Sequence, residues 1–314
     1  MGNVSVKKQV FFLNSSNNHT FGVTCTMPEG QPLVGILQII PGMAEHAGRY
    51  QDFANFLAEN GYGVFCADHP GAGITAGDLD TLGVLPANRG WQIMLENIRA
   101  LYTFIRKKYP ASHVFLFGHS MGSILARHFM AVYPVYIQGL ILSASFETPS
   151  ALLKLARTII RLTIIISGSR KKSKWFNKLF YMNLNRRFRS GPTLFEWISS
   201  QREEVDAYVN DPYCGYYYSL GFYKTMFRGI TSMKKSQQNL KYRKTLPILS
   251  ICGKDDPAGQ FGKDLVRIHR HFYKQRFQNN TMKIFRGRHE LLHDKKKDKV
   301  SAFLLKWMNN NLKS

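Results

Sequence analysis

Short apolar runs separated by longer stretches of mixed character set the rhythm of this chain. Six of them read as buried β-strands: residues 33–40 (LVGILQII), 62–67 (YGVFCA), 113–117 (HVFLF), 137–143 (IQGLILS), 247–252 (PILSIC) and 281–285 (TMKIF). They are rich in β-branched and aromatic residues and mostly lack polar alternation, as strands covered on both faces do. Between the second and third runs, Trp91, Met94, Leu95, Ile98, Leu101, Tyr102 and Ile105 recur at three- and four-residue spacing. That is the stripe of an amphipathic helix, and Arg106, Lys107 and Lys108 fill its last turn before Pro110. Val300, Phe303, Leu304 and Trp307 repeat the pattern near the C-terminus, while Asn60-Gly61 and Tyr133-Pro134 read as helix stops. Strands alternating with helices predict an α/β fold, a mostly parallel central sheet with helices on both faces.

The alternation fails between residues 147 and 244. Here the periodicity is helical throughout, and from 148 to 195 there are 11 Lys or Arg and no Asp or Glu. A helical insertion between two strands of such a sheet reads as a cap over the strand ends, where α/β sheets bind ligands. The expected organisation is a core of residues 1–146 and 245–314 around a cap of 147–244. Within it, residues 151–166 (ALLKLARTIIRLTIII) are apolar nearly all round, with Lys154, Arg157 and Arg161 on one narrow stripe. Such a helix needs a second greasy surface. The candidates are an apolar pocket of the protein itself and a membrane interface whose anionic headgroups meet the basic stripe. The adjoining RKKSK run at 170–174 adds to the second.

Composition changes this picture in one respect. With 314 residues and 44% hydrophobic content the chain can bury a large core, but 43 Lys or Arg against 20 Asp or Glu leave a net charge of +23. Such a surface attracts anions such as phospholipid headgroups, nucleic acid or acidic substrates, the other reading being compositional drift that serves only solubility. No helix-turn-helix, zinc-finger or aromatic-and-basic strand signature accompanies the charge, so nucleic acid is not expected. Cys25, Cys66, Cys214 and Cys252 lie far apart with no C-x-x-C pair, which reads as reduced thiols and no metal site. MGNVSVKKQVFF has no apolar core of a signal peptide and carries Val at position 6, where a myristoylation signal needs Ser or Thr. No run of 18 uncharged apolar residues predicts a membrane-spanning helix. The expected location is the cytoplasm, with peripheral contact to the inner membrane face through the basic cap as a further option. Oligomeric state is not readable.

The chemistry centres on FLFGHSMGSIL at 115–125, where Gly118, Ser120 and Gly122 form G-x-S-x-G. A β-run enters the motif and a helical segment leaves it. Ser120 is thus expected at the apex of a tight strand–turn–helix, with the Met121 N–H facing the same space from the helix start. A serine hydroxyl needs a base, and the base an orienting acid. After the strand PILSIC comes GKDDPAG, and after TMKIF comes RGRHELLHD. These offer Asp256 as the acid and His289 as the base, with Asp255 and His293 as rivals. A second oxyanion donor falls to the loop after LVGILQII, where Met43 N–H is the candidate.

Taken together, IIPGMAEHAGRY, ADHPGAG, FLFGHSMGS, ICGKDDPAGQFGK and GRHELL resemble the monoacylglycerol lipase/lysophospholipase branch of the α/β-hydrolases, most of all its bacterial members. The resemblance implies a serine hydrolase of monoacyl lipid esters with a Ser120–Asp256–His289 triad, Met43 and Met121 amides as oxyanion hole, and no cofactor. It further implies that Glu45 lies near the polar head of the substrate, the other reading being a salt bridge with Arg49. His119, beside the nucleophile, joins Glu45 as a substrate-binding candidate. Two positions depart from the family pattern: Pro41 and Ala72 stand where histidines hold loops beside the site. Alternative functions are a short-chain carboxylesterase, a peptidase or amidase, and a catalytically weak lipid- or anion-binding protein.

Overall fold

A computed structural model describes residues 5–312 apart from 17, 134 and 239. Pro134, half of one expected helix stop, and residues 1–4, with which the leader and lipidation readings begin, lie outside the described residues. The chain runs β1 (Val6–Asn14), β2 (Thr20–Pro28), β3 (Gly35–Ile40), α1 (Gln51–Glu59), β4 (Tyr62–Ala67), α2 (Gly90–Lys108), β5 (Val114–His119), α3 (Met121–Val132) and β6 (Gly139–Ser143). After these come α4 (Ser150–Ser167), α5 (Lys174–Leu184), α6 (Arg202–Asn210) and α7 (Leu220–Ser236). The chain then closes with β7 (Ile248–Gly253), α8 (Lys263–Lys274), β8 (Asn280–Phe285) and α9 (Lys297–Asn310).

One eight-stranded sheet has the order β1-β2-β4-β3-β5-β6-β7-β8. The β1–β2 and β2–β4 pairs are antiparallel; every pair from β4 to β8 is parallel. Helices cover both faces. One apolar cluster joins the sheet to α2, α3, α7 and α8, and a second joins it to α1 and α9. Because β3 to β8 are parallel, their C-terminal ends share one edge, and four of the loops that leave that edge carry the candidate chemistry.

Each of the six expected strands is present, with two corrections. The hairpin of β1 and β2 was not among them. β1 carries Lys7, Lys8 and Gln9 and lies mostly exposed at the sheet edge, so it lacks the apolar run of a buried strand. Residues 281–285 were expected to be buried, yet β8 is the opposite edge strand and leaves Met282 and Ile284 exposed. An apolar run does not reveal which strand ends the sheet.

Helix α1 stops at Asn60, and Gly61 follows with φ +86°, the left-handed residue that such a stop requires. The four helices α4 to α7 fall between β6 and β7, in the segment where the alternation breaks. Helix α4 packs against α7 and buries Leu153 and Ile160, while Leu155 (58% exposed), Leu162 (57%) and Ile166 (86%) face outward. All four cysteines are free and buried. Among the described residues, no helix is long and apolar enough to cross a membrane.

Candidate active site

Ser120 follows β5 and precedes α3 with φ 51° and ψ −117°, a left-handed conformation that costs a non-glycine residue roughly 1–3 kcal/mol. The flanking glycines make it possible by close approach. A Cβ on Gly122 would lie 2.0 Å from the Ile40 carbonyl oxygen, and one on Gly118 would lie 2.5 Å from the Gly122 carbonyl oxygen. The turn is thereby pressed against the end of β3. Met121 is the first residue of α3, where helix amides have no intrahelical acceptor and attract negative charge.

Asp256 and His289 leave the ends of β7 and β8. His289 Nδ1 and Asp256 Oδ1 are 2.9 Å apart, and both side chains are fully buried. Asp256 Oδ1 also accepts the Ala258 N–H at 2.9 Å. Burial alone would lower the His289 imidazole, but the Asp256 carboxylate outweighs it by charge and hydrogen bond, and the net shift is upward. The rivals stand elsewhere: Asp255 is exposed, and His293 Nδ1 faces Glu204 Oε2 at 3.3 Å.

His119, the residue before Ser120, packs against this pair. Its ring centroid lies 5.0 Å from that of His289, its Nδ1 is 3.4 Å from Ser143 Oγ, and burial followed by the His289 charge lowers it to about 3. The loop after β3 closes the other side. A Cβ on Gly42 would sit 3.3 Å from Ser120 Cβ and 3.1 Å from His119 Cδ2.

Within that loop the amides are sorted. Gly42 N–H donates to Glu45 Oε1, and Ala44 N–H donates to Tyr218 Oη at 3.0 Å. The Met43 N–H between them has no partner among the described residues. Glu45 is buried and also accepts from Tyr50 Oη at 2.7 Å, so it holds the loop from inside. Arg49 pairs with Glu290, the residue after His289, and not with Glu45. Around the two departures from the family pattern, His69 Nε2 lies 3.0 Å from the Pro41 carbonyl, and Asp68 accepts from Ala47 N–H and Ile74 N–H.

Several contributors carry no signal in the sequence. The Trp197 ring packs on His289 at 4.6 Å between centroids, and its carbonyl accepts the His289 N–H at 3.3 Å. Ile198 accepts the Glu290 N–H at 2.8 Å, and Arg288 donates to the Glu196 and Ser199 carbonyls. Tyr208 Oη donates to the Ala44 carbonyl at 2.8 Å. All of these pair the α5–α7 part of the chain with loops of the core, so only the folded chain reveals them. Tyr181, Trp197, Ile198, Val205 and Tyr208 form an apolar cluster that touches Met43 and Ala258. Among the described residues, His46, Asp211 and Cys214 could hold a metal, with ligand atoms within 4.8 Å of one another. Burial pushes the Cys214 thiol far up, and His46 Nε2 is hydrogen-bonded to Asp211 at 2.9 Å, a contact that braces the loop after β3 against the chain beyond α6.

A family model described as "Serine aminopeptidase, S33" matches residues 31–296. The chain belongs to that family. Its sheet order and cofacial helices are those of the α/β-hydrolases. The chain is 26% identical over 273 residues to the monoglyceride lipase of Mus musculus, covering 85% of this chain and 78% of that protein. Its fold is similar to a thermostable carboxyl esterase from Bacillus coagulans solved with glycerol (TM-score 0.85, 22% identity, 98% of this chain and 99% of that one). It is also similar to a soluble variant of monoglyceride lipase from Saccharomyces cerevisiae solved with a substrate analog (TM-score 0.75, 18% identity, 97% and 96%). The S33 description names a peptidase, whereas these relatives are ester hydrolases.

Proposed function

We propose that this family member is a serine hydrolase of carboxylic esters whose substrates are monoacyl lipids, monoacylglycerol or lysophospholipid. The observation that carries the reading is the buried Asp256–His289 hydrogen bond, with the His289 ring 5.0 Å from that of His119, the residue before a positive-φ Ser120. In this mechanism His289 Nε2 takes the Ser120 hydroxyl proton as Oγ attacks the acyl carbonyl. Asp256 fixes the imidazole through Nδ1–H and stabilises the imidazolium. The Met43 and Met121 amides receive the oxyanion, which the sorting of the loop's N–H groups supports. His289 then protonates the leaving alcohol, and water repeats the sequence on the acyl-enzyme. Glu45 and His119 act on the substrate's polar end, Glu45 through the loop it holds.

The lipid preference rests on the similarity to monoglyceride lipases, and the buried apolar cluster that packs on Met43 and Ala258 gives the site apolar surroundings consistent with it. Residues 147–244 act as the cap over a core of 1–146 and 245–314. On α4 and α5 the exposed Leu155, Leu162, Ile166, Trp175 and Leu179 adjoin basic residues, and in this reading they seat the cap on an anionic bilayer.

Labelling with a fluorophosphonate probe, together with a p-nitrophenyl ester series, tests the proposal. Wild type is expected to be labelled, and Ser120→Ala to lose labelling along with about 10⁴- to 10⁶-fold in kcat. Undiminished turnover in Ser120→Ala refutes the nucleophile, and activity that peaks at acetate and is absent by octanoate refutes the lipid preference.

A further inference from the structure

A groove of about 1090 Å³ opens between α4 and α7, next to α3 and α8, and shares no residue with the candidate active site. Eight of the residues that line it are Lys or Arg, against a single carboxylate, Glu147. Glu147 is already engaged by Arg127 Nη2 and, at 3.7 Å, by Lys234 Nζ. That leaves a large excess of positive charge confined in a concavity, where like charges repel and raise the local affinity for anions.

Its floor makes a more specific demand. Arg127 is 2% exposed and spends Nε and Nη2 on Gln237 Oε1, at 3.2 and 2.8 Å. Among the described residues, Arg127 Nη1 and Gln237 Nε2 are both buried without a hydrogen-bond partner, as is His271 Nε2. All three side chains line this groove. A buried guanidinium donor and a buried amide donor that lack acceptors destabilise the fold unless something supplies oxygen atoms. Two orphan donors beneath a rim of exposed cations, Arg157 and Arg228 among them, suit a ligand that is multiply negative and small enough to reach the floor. One carboxylate has too little charge. A phosphate group offers several acceptor oxygens, and guanidinium is its natural partner.

We propose that the α4–α7 groove is a binding site for a phosphate-bearing ligand, its phosphate oxygens accepting from Arg127 Nη1 and Gln237 Nε2 while the rim cations neutralise the remaining charge. The volume suits a small polyphosphorylated molecule or the headgroup of a phosphorylated lipid. The site stands or falls apart from the hydrolase reading, because no group of the proposed catalytic set takes part.

Arg127 is buried and its replacement can unfold the chain, so the test uses Arg157→Glu/Arg228→Glu on the exposed rim. Lys7→Glu/Lys8→Glu on β1 makes the same change in net charge outside the groove. Circular dichroism verifies that both variants are folded. Inositol hexakisphosphate is titrated calorimetrically at about 0.15 M salt, and a parallel arm measures co-sedimentation with phosphatidylcholine vesicles with and without phosphatidylinositol bisphosphate. Saturable uptake of the soluble probe, weakened at least about tenfold in the groove variant and within about twofold of wild type in the β1 variant, supports a free phosphorylated ligand. Binding to the phosphoinositide vesicles alone, lost in the groove variant only, supports a lipid headgroup. Equal losses in the two variants, or no saturation in either arm, overturn the proposal.

Discussion

The segment between β6 and β7 has two halves of opposite character. From about residue 195 to 219 it is tied into the core by directed bonds. Trp197 and Ile198 hold the His289 loop, while Tyr208 and Tyr218 hold both backbone groups of Ala44 in the loop after β3. From 148 to 195 it has 11 cations and no acid, and its α4 buries little beyond Leu153 and Ile160. The first half is built inward, toward the candidate chemistry. The second presents apolar and basic side chains outward, the face that the proposed bilayer contact would use. One segment thus carries two opposite kinds of surface.

Trp197→Ala probes the inward half and carries the largest expected effect of the three tests here. Removing the ring that packs on His289 should cost roughly 100-fold in kcat/KM on a soluble ester, as misplacement of a reacting group by about 1 Å does. A loss below about threefold would mean that this half does not build the site. The pH profile is a gentler test. In the proposed mechanism His289 acts as a base only when neutral, and its pKa is raised, so activity should rise with pH through a midpoint above 6.5. Below that midpoint each pH unit costs about tenfold. The cause is a buried contact with Asp256, so moving from about 0.1 to 1 M salt should leave the midpoint in place. A midpoint that climbs with salt would mean that the outward cations reach the site and depress it. The smallest effect on turnover is expected from Leu155→Ser/Leu162→Ser in the outward half. Turnover of a soluble ester should stay within about twofold, while co-sedimentation with anionic vesicles falls several-fold. Equal loss in both assays would erase the contrast between the halves.

The sequence was legible where burial and local geometry leave a pattern. Parallel strands covered on both faces give continuous apolar runs, and β3 to β7 were readable for that reason. The G-x-S-x-G turn was readable because only glycine tolerates the approach of Ile40 and Gly122 carbonyls. Position after a strand end favoured Asp256 and His289 over Asp255 and His293. Burial and a 2.9 Å contact between the two support the same pairing. The Glu45–Arg49 salt bridge, one of two readings left open, gives way to the Arg49–Glu290 pair because folding brings the His289 loop against the loop after β3.

By itself, then, the chain's order of apolar runs, glycines and charged residues determined the α/β architecture, the turn at Ser120 and the place where the insertion interrupts the sheet. These follow from interactions between near neighbours and from the period of burial. Only the tertiary structure decided that Trp197 covers His289, that Tyr208 and Tyr218 brace Ala44, and that Arg127 and Gln237 leave donors unmet beneath the α4–α7 groove. Those pairings join residues remote along the chain, and their energies depend on distance and desolvation that no local pattern records.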